Sequence, residues 1–157
     1  MKTNAFILSI IGVLILATCN NSVDESINHP EDTKITISEY SYSGCLNNSR
    51  STDNIESIHL KMQNNGQLLI EHKNVFFNCS PDTITLSIKT DSTYNIEINE
   101  DEVNPMANCI CPYNLECIIN GIKSEDYFIS ISQGDIEKIK INLDFSNDID
   151  TLINLSD

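Results

Sequence analysis

From Thr33 onward the chain alternates apolar and polar residues with a period of two, and this restricts its fold more than any other feature. Successive side chains of an extended strand point to opposite faces, so the alternation indicates half-buried β-strands. Ile35 and Ile37 flank Thr36; Ile58, Leu60 and Met62 alternate with His59 and Lys61; Ile84, Leu86 and Ile88 alternate with Thr85 and Ser87. The pattern returns at Tyr94, Ile96 and Ile98, at Leu115, Cys117 and Ile119, and at Tyr127, Ile129 and Ile131. Ile139, Ile141, Leu143 and Phe145 close the series. Turn-forming breaks fall near Asn47-Asn48, Asn64-Asn65-Gly66, Ser80-Pro81, Asp91-Ser92, Pro105, Gly121 and Gly134. This spacing predicts an all-β fold, an antiparallel sandwich or barrel of about seven to nine short strands.

One hairpin can be set in register from burial alone. A two-residue loop at Asn64-Asn65-Gly66 would set Leu60 and Met62 beside polar Glu71 or Gln67. A three-residue loop with Gly66 left-handed pairs Met62 with Leu68 and Leu60 with Ile70, leaving these four apolar residues on one face. His59 then lies outside opposite Glu71, and His72 ends the inner face opposite Ile58. The two histidines point to opposite sides and share neither a metal nor a proton relay.

The stretch from Gly121 to Ile129 resembles the crossing between strands E and F of fibronectin type III and related immunoglobulin-like sandwiches. Ile122 stands in the connection, and Tyr127 opens the next strand five positions later. The resemblance implies an immunoglobulin-like β-sandwich, with the Tyr127 hydroxyl bonded back to the connection backbone.

At the N-terminus, Lys2 precedes an apolar run from Ala5 to Leu16, followed by Ala17, Thr18 and Cys19. A basic residue, a short apolar run and a small-residue exit define a secretory signal, and the run falls short of the about 20 residues that span a bilayer. Leu16-Ala17-Thr18-Cys19 resembles the lipobox of bacterial lipoproteins. The resemblance implies cleavage before Cys19, diacylglycerol on its sulfur and acylation (palmitate or a similar chain) of the new amino terminus. Residues 1–18 then form a lipoprotein signal peptide and 19–32 an acidic flexible tether. Residues 33–146 form the β-sandwich domain and 147–157 a C-terminal tail. Ser22-Val23-Asp24-Glu25 loosely resembles the surface-export signal of Bacteroidetes lipoproteins, which implies the outer membrane, at its surface or periplasmic face. Phe77-Asn78-Cys79 and the run Asn108 to Asn114 look like a pattern in small Bacteroidetes envelope lipoproteins.

Loss of residues 1–18 takes away Lys2 and no acid, so 139 residues remain with 23 acidic against 8 basic, a formal charge of −15. That is one domain's length. Such a charge repels phosphate backbones and argues against nucleic-acid binding.

Five cysteines remain after Cys19. In an oxidising compartment bridges are the default, and an odd count leaves one thiol free. Cys109 and Cys111 are too close in sequence to bridge each other without strain. Two bridges are therefore expected from Cys45 and Cys79 to the Cys109/Cys111 pair, in undetermined order, with Cys117 free beside Leu115 and Ile119. The rival reading is a zinc or copper site from Cys109, Cys111 and Cys117, with Cys79 or His72 as fourth ligand.

Glu100-Asp101-Glu102 and the acids from Asp144 to Asp150 lack the Gly-punctuated spacing of a calcium loop and read as solvated. No nucleophile elbow accompanies the histidines. Asp82-Thr83-Ile84, Asp91-Ser92-Thr93 and Asp150-Thr151-Leu152 resemble O-glycosylation acceptors of exported Bacteroidetes proteins. The expectation is therefore a membrane-anchored, non-catalytic module without a cofactor, meeting a protein or glycan. The alternative is a small envelope enzyme or metal-binding protein built on the Cys109–Cys117 loop.

Overall fold

The computed structural model describes residues 34–45, 55–63, 65–91 and 94–155. The signal peptide, the whole of the tether with Cys19, and Ser92 lie outside the described residues.

Nine strands and no helix are found among the described residues: β1 (Thr36–Ser43), β2 (Ser57–Met62), β3 (Leu68–Asn78), β4 (Thr83–Thr90), β5 (Asn95–Val103), β6 (Ile110–Asn120), β7 (Asp126–Gln133), β8 (Ile136–Asp144) and β9 (Asp150–Asn154). They form a β-sandwich. One sheet has the order β1-β6-β3-β2-β9 and the other β4-β5-β7-β8. Inward residues of both sheets meet in one main cluster that includes Leu60, Ile70, Ile98, Cys117, Ile129 and Ile131. A smaller cluster at one end holds Val75, Phe77, Ile84, Cys111, Tyr113 and Leu115. The eleven-residue strands β3 and β6 run through both clusters.

The hairpin between β2 and β3 has the register selected by burial. Met62 faces Leu68, Leu60 faces Ile70, His59 faces Glu71 and Ile58 faces His72. Gly66 supplies the left-handed residue at φ 74°. Tyr127 is 2% exposed, and its hydroxyl accepts a hydrogen bond from the Lys123 amide at 3.3 Å. Ile122 packs against the main core. The connection needs Gly121, at φ 86°, because a Cβ there would meet the Lys34 carbonyl oxygen at 2.7 Å.

Three details depart from expectation. β5 and β7 pair in parallel, although every other pair is antiparallel. The cause is parity: each connection reverses the chain, so strands separated by an even number of connections run the same way. Only β5 and β7 are such neighbours, since β6 between them belongs to the other sheet. Second, the segment expected as a C-terminal tail contains β9, which pairs with β2 from Asp150↔Lys61 to Asn154↔Ser57. Its inward positions are Thr151 and Ile153, with the apolar Leu152 exposed between them, so no apolar alternation marks it. Third, Tyr94 is half-exposed at φ 58°, outside β5. Its ring meets Tyr127 edge-on at 5.5 Å.

β3 also changes face midway. Leu68, Ile70 and His72 point inward, and so do Val75 and Phe77, which alternation alone would turn outward. One extra residue reconciles the two sets: His72 pairs with Leu115 and Val75 with Tyr113, a bulge. Asn74 takes φ 58° there. Its amide donates to Asn114 Oδ1 and its side chain to the Ile55 carbonyl, each at 3.0 Å.

Candidate functional site

Two assemblies carry the chemistry of the described residues: a buried charge cluster opening on an edge groove, and a pair of disulfides at the far end of β6.

The charge cluster begins at the last inward residue before the bulge. His72 is 1% exposed, and Glu100, arriving on β5 of the opposite sheet, is 2% exposed. His72 Nδ1 lies 2.8 Å from Glu100 Oε2, and Nε2 lies 3.0 Å from Glu56 Oε1. An ionised carboxylate only accepts, so both ring nitrogens act as donors only in the imidazolium form. Burial on its own disfavours that charge, but the bonds from Glu100 and Glu56 outweigh it and hold the His72 pKa above its ordinary value. Glu56 is also bound by Lys138 at 2.8 Å. Burial pushes its carboxyl pKa up, but His72 and Lys138 outweigh this and bring it below the ordinary value. Two anions and two cations thus link the sheets through a polar bridge in an apolar core.

This corrects the sequence reading of Glu100-Asp101-Glu102 as solvated. Glu100 continues the inward set Ile96 and Ile98 and is buried. Asp101 is exposed, and Glu102 accepts the Asn78 amide at 2.7 Å. The three carboxylates do not converge. Asp144 accepts the Ser146 amide at 2.9 Å within its own turn.

Glu56 and Lys138 also line a groove of about 580 Å³ at one flank of the sandwich, where edge strands β8 and β9 face each other. Ile139 and Ile141 form one wall, and Ile153 and Leu155 the other. Lys140, Glu137 and Asn154 also line it. Its lining is about half polar, and its volume falls in the range of roughly 300–1,000 Å³ usual for small-ligand or side-chain sites. Sequence reading missed it because β8 and β9, although consecutive in the chain, are edge strands of different sheets, and β9 was expected to be a tail.

His59 lies on the outward face, as the register predicts. Nδ1 is 2.9 Å from Glu71 Oε2 and Nε2 2.6 Å from Asp150 Oδ1, the second partner being supplied by β9. Bonds to Asp150 and then Glu71 raise its pKa. Its two nitrogens face different acids, so the three groups do not converge on one point.

The disulfides are Cys45–Cys111 and Cys79–Cys109. Both join Cys45 and Cys79, which lie just past the ends of β1 and β3, to the Cys109/Cys111 pair, and this resolves the open pairing order. Cys117 is a free thiol buried in the main core, its pKa pushed up to about 12 by burial. Cys109, Cys111 and Cys117 are therefore not assembled as three thiols: two are bridged and the third packs with Ile70 and Ile119. Thr83 and Thr151 are both half-buried.

No family model, curated protein or solved structure matches the chain.

Proposed function

We propose that the chain is a lipid-anchored cell-envelope lipoprotein acting as a non-catalytic binding or accessory module. The observation that carries this reading is the pair of disulfides, because bridges form and persist in oxidising compartments such as the envelope. The Leu16 to Cys19 motif supports an anchor, and Cys19 is its attachment point. The β8/β9 groove is the surface presented to a protein or glycan partner, with apolar walls for contact and Lys138 and Lys140 for polar selection.

Labelling cells with an alkyne-bearing fatty acid tests the anchor. The full chain should take up label and fractionate with membranes, and Cys19→Ser should lose both properties. Label on the Cys19→Ser chain, or unlabelled protein in the cytosol, contradicts the proposal. Photo-crosslinking in intact envelopes tests the groove. A crosslinker at Lys140 should give a discrete adduct that one at Glu116, outside the groove, does not.

A further inference from the structure

The two disulfides are close neighbours. The sulfurs of Cys45, Cys79 and Cys111 all lie within 4.8 Å of one another, so Cys79, bonded to Cys109, is within reach of the other bridge. Accessibility is graded across the group. Cys109 is exposed, Cys79 and Cys45 are half-buried, and Cys111 is buried. We propose that the two bridges form a single thiol–disulfide exchange site, in which a dithiol reductant opens Cys79–Cys109 and Cys79 then displaces Cys45 from Cys111.

The steps balance. A thiolate of the dithiol attacks the exposed Cys109 sulfur, forming a mixed disulfide and releasing the Cys79 thiolate. The second thiol of the reductant resolves the mixed disulfide, leaving Cys109 as a thiol and the reductant oxidised. The Cys79 thiolate attacks the Cys111 sulfur, the Cys79–Cys111 bond forms, the Cys45–Cys111 bond breaks, and Cys45 leaves as a thiolate that takes a proton from water. The net change is two electrons and two protons from the dithiol to the protein, with one bridge retained.

Strand order selects Cys111 over Cys45 as the target. β1, which leads into Cys45, and β3, which leads into Cys79, lie on opposite sides of β6. Strands two positions apart are about 9.5 Å apart, beyond the Cα separation of about 7 Å that a disulfide spans. Cys111 lies on β6 itself, opposite Phe77 of the adjacent β3, while Cys79 lies opposite Cys109. Cys111 is thus a diagonal neighbour of Cys79 with Cα atoms about 7–8 Å apart, nearer than Cys45 and reached with a small backbone shift. The exchange therefore passes a reducing event at an exposed sulfur to the far side of β6, where it unfastens the end of the edge strand β1. This inference does not depend on the lipid anchor or on the groove.

Cys109→Ser leaves Cys79 as a permanent thiol. After acid quench, alkylation and non-reducing digestion, the expected result is a Cys79–Cys111 linked peptide with Cys45 alkylated. Cys45–Cys111 as the sole bridge, with Cys79 alkylated, overturns the proposal, and so does a Cys45–Cys79 peptide. Should this variant fail to fold, the native chain treated with limiting dithiothreitol gives the same reading. Alkylation at Cys45 and Cys109 is expected; alkylation confined to Cys79 and Cys109 overturns the exchange.

Discussion

Nδ1 of His72 lies 2.8 Å from Oε2 of Glu100 across the interface between the two sheets, with both side chains almost wholly buried. An ion pair so placed does not by itself add net stability, because removing two charges from water offsets their attraction. It does make the packing of one sheet on the other conditional on a proton.

The protonation of His72 gives stability a defined pH dependence. Its folded pKa lies above the ordinary 6.5, so its contribution is fully present below about pH 6.5 and is lost as pH rises through the folded value. Glu56 acts in the opposite direction, its contribution being present above about pH 4.5 and lost as pH falls through its lowered value. Glu100, Glu56 and Lys138 are the charged groups at the cluster, and the Cys117 thiol remains neutral there. His59 has the same sign as His72 but is far more open to solvent, which screens its effect. Thermal unfolding should show greatest stability between about pH 4.5 and 6.5, with Tm falling toward pH 8.5. His72→Leu should flatten the alkaline fall; an unchanged slope counts against this assignment.

Removing one partner should be worse than removing both. His72→Leu leaves Glu100 buried without its cation, at a cost of about 3–5 kcal/mol at neutral pH. The double variant with Glu100→Leu should recover much of that loss, since an apolar replacement of a buried pair is often neutral. Denaturant unfolding of the four proteins measures the coupling, and additive losses would refute it.

The bulge at Asn74 demands a left-handed residue. Asn74→Gly should change stability by no more than about 1 kcal/mol, the net value of a hydrogen bond. Asn74→Val sets a β-branched residue at φ 58° and should cost about 1–3 kcal/mol. Equal losses in the two variants would show that backbone conformation is not the determinant.

The bridges close spans of 66 and 30 residues. In the chain-entropy account their removal destabilises by about 4 kcal/mol each, the longer loop by about 0.7 kcal/mol more. Cys45→Ser/Cys111→Ser should therefore unfold at the lower denaturant concentration of the two double-serine variants. The reverse order would point to interactions in the folded state instead.

Much of this architecture was legible in the alternation. Inner residues such as Ile58, Leu60, Ile96, Ile98, Ile129 and Ile131 were assigned by parity within single strands, and so was the β2–β3 register. Even the burial of Glu100 was available in principle, because it extends the parity of Ile96 and Ile98. It was missed because three consecutive acids read as solvent-facing. The bulge at Asn74 was less accessible, because one extra residue resembles a broken pattern until the partner strand shows what it opposes.

The sequence alone determined where most strands lie, β9 excepted, which face of those strands is apolar up to the bulge in β3, and that the cysteines pair between two groups. Those are properties of one chain segment at a time, set by side-chain direction and burial. Tertiary structure decided that β5 lies parallel to β7, that β9 completes the sheet beside β2, and that Cys45 takes Cys111. It also decided that His72 meets Glu100. Each of these depends on which strands become neighbours after the chain has crossed between sheets, and alternation within a strand carries no record of its neighbour.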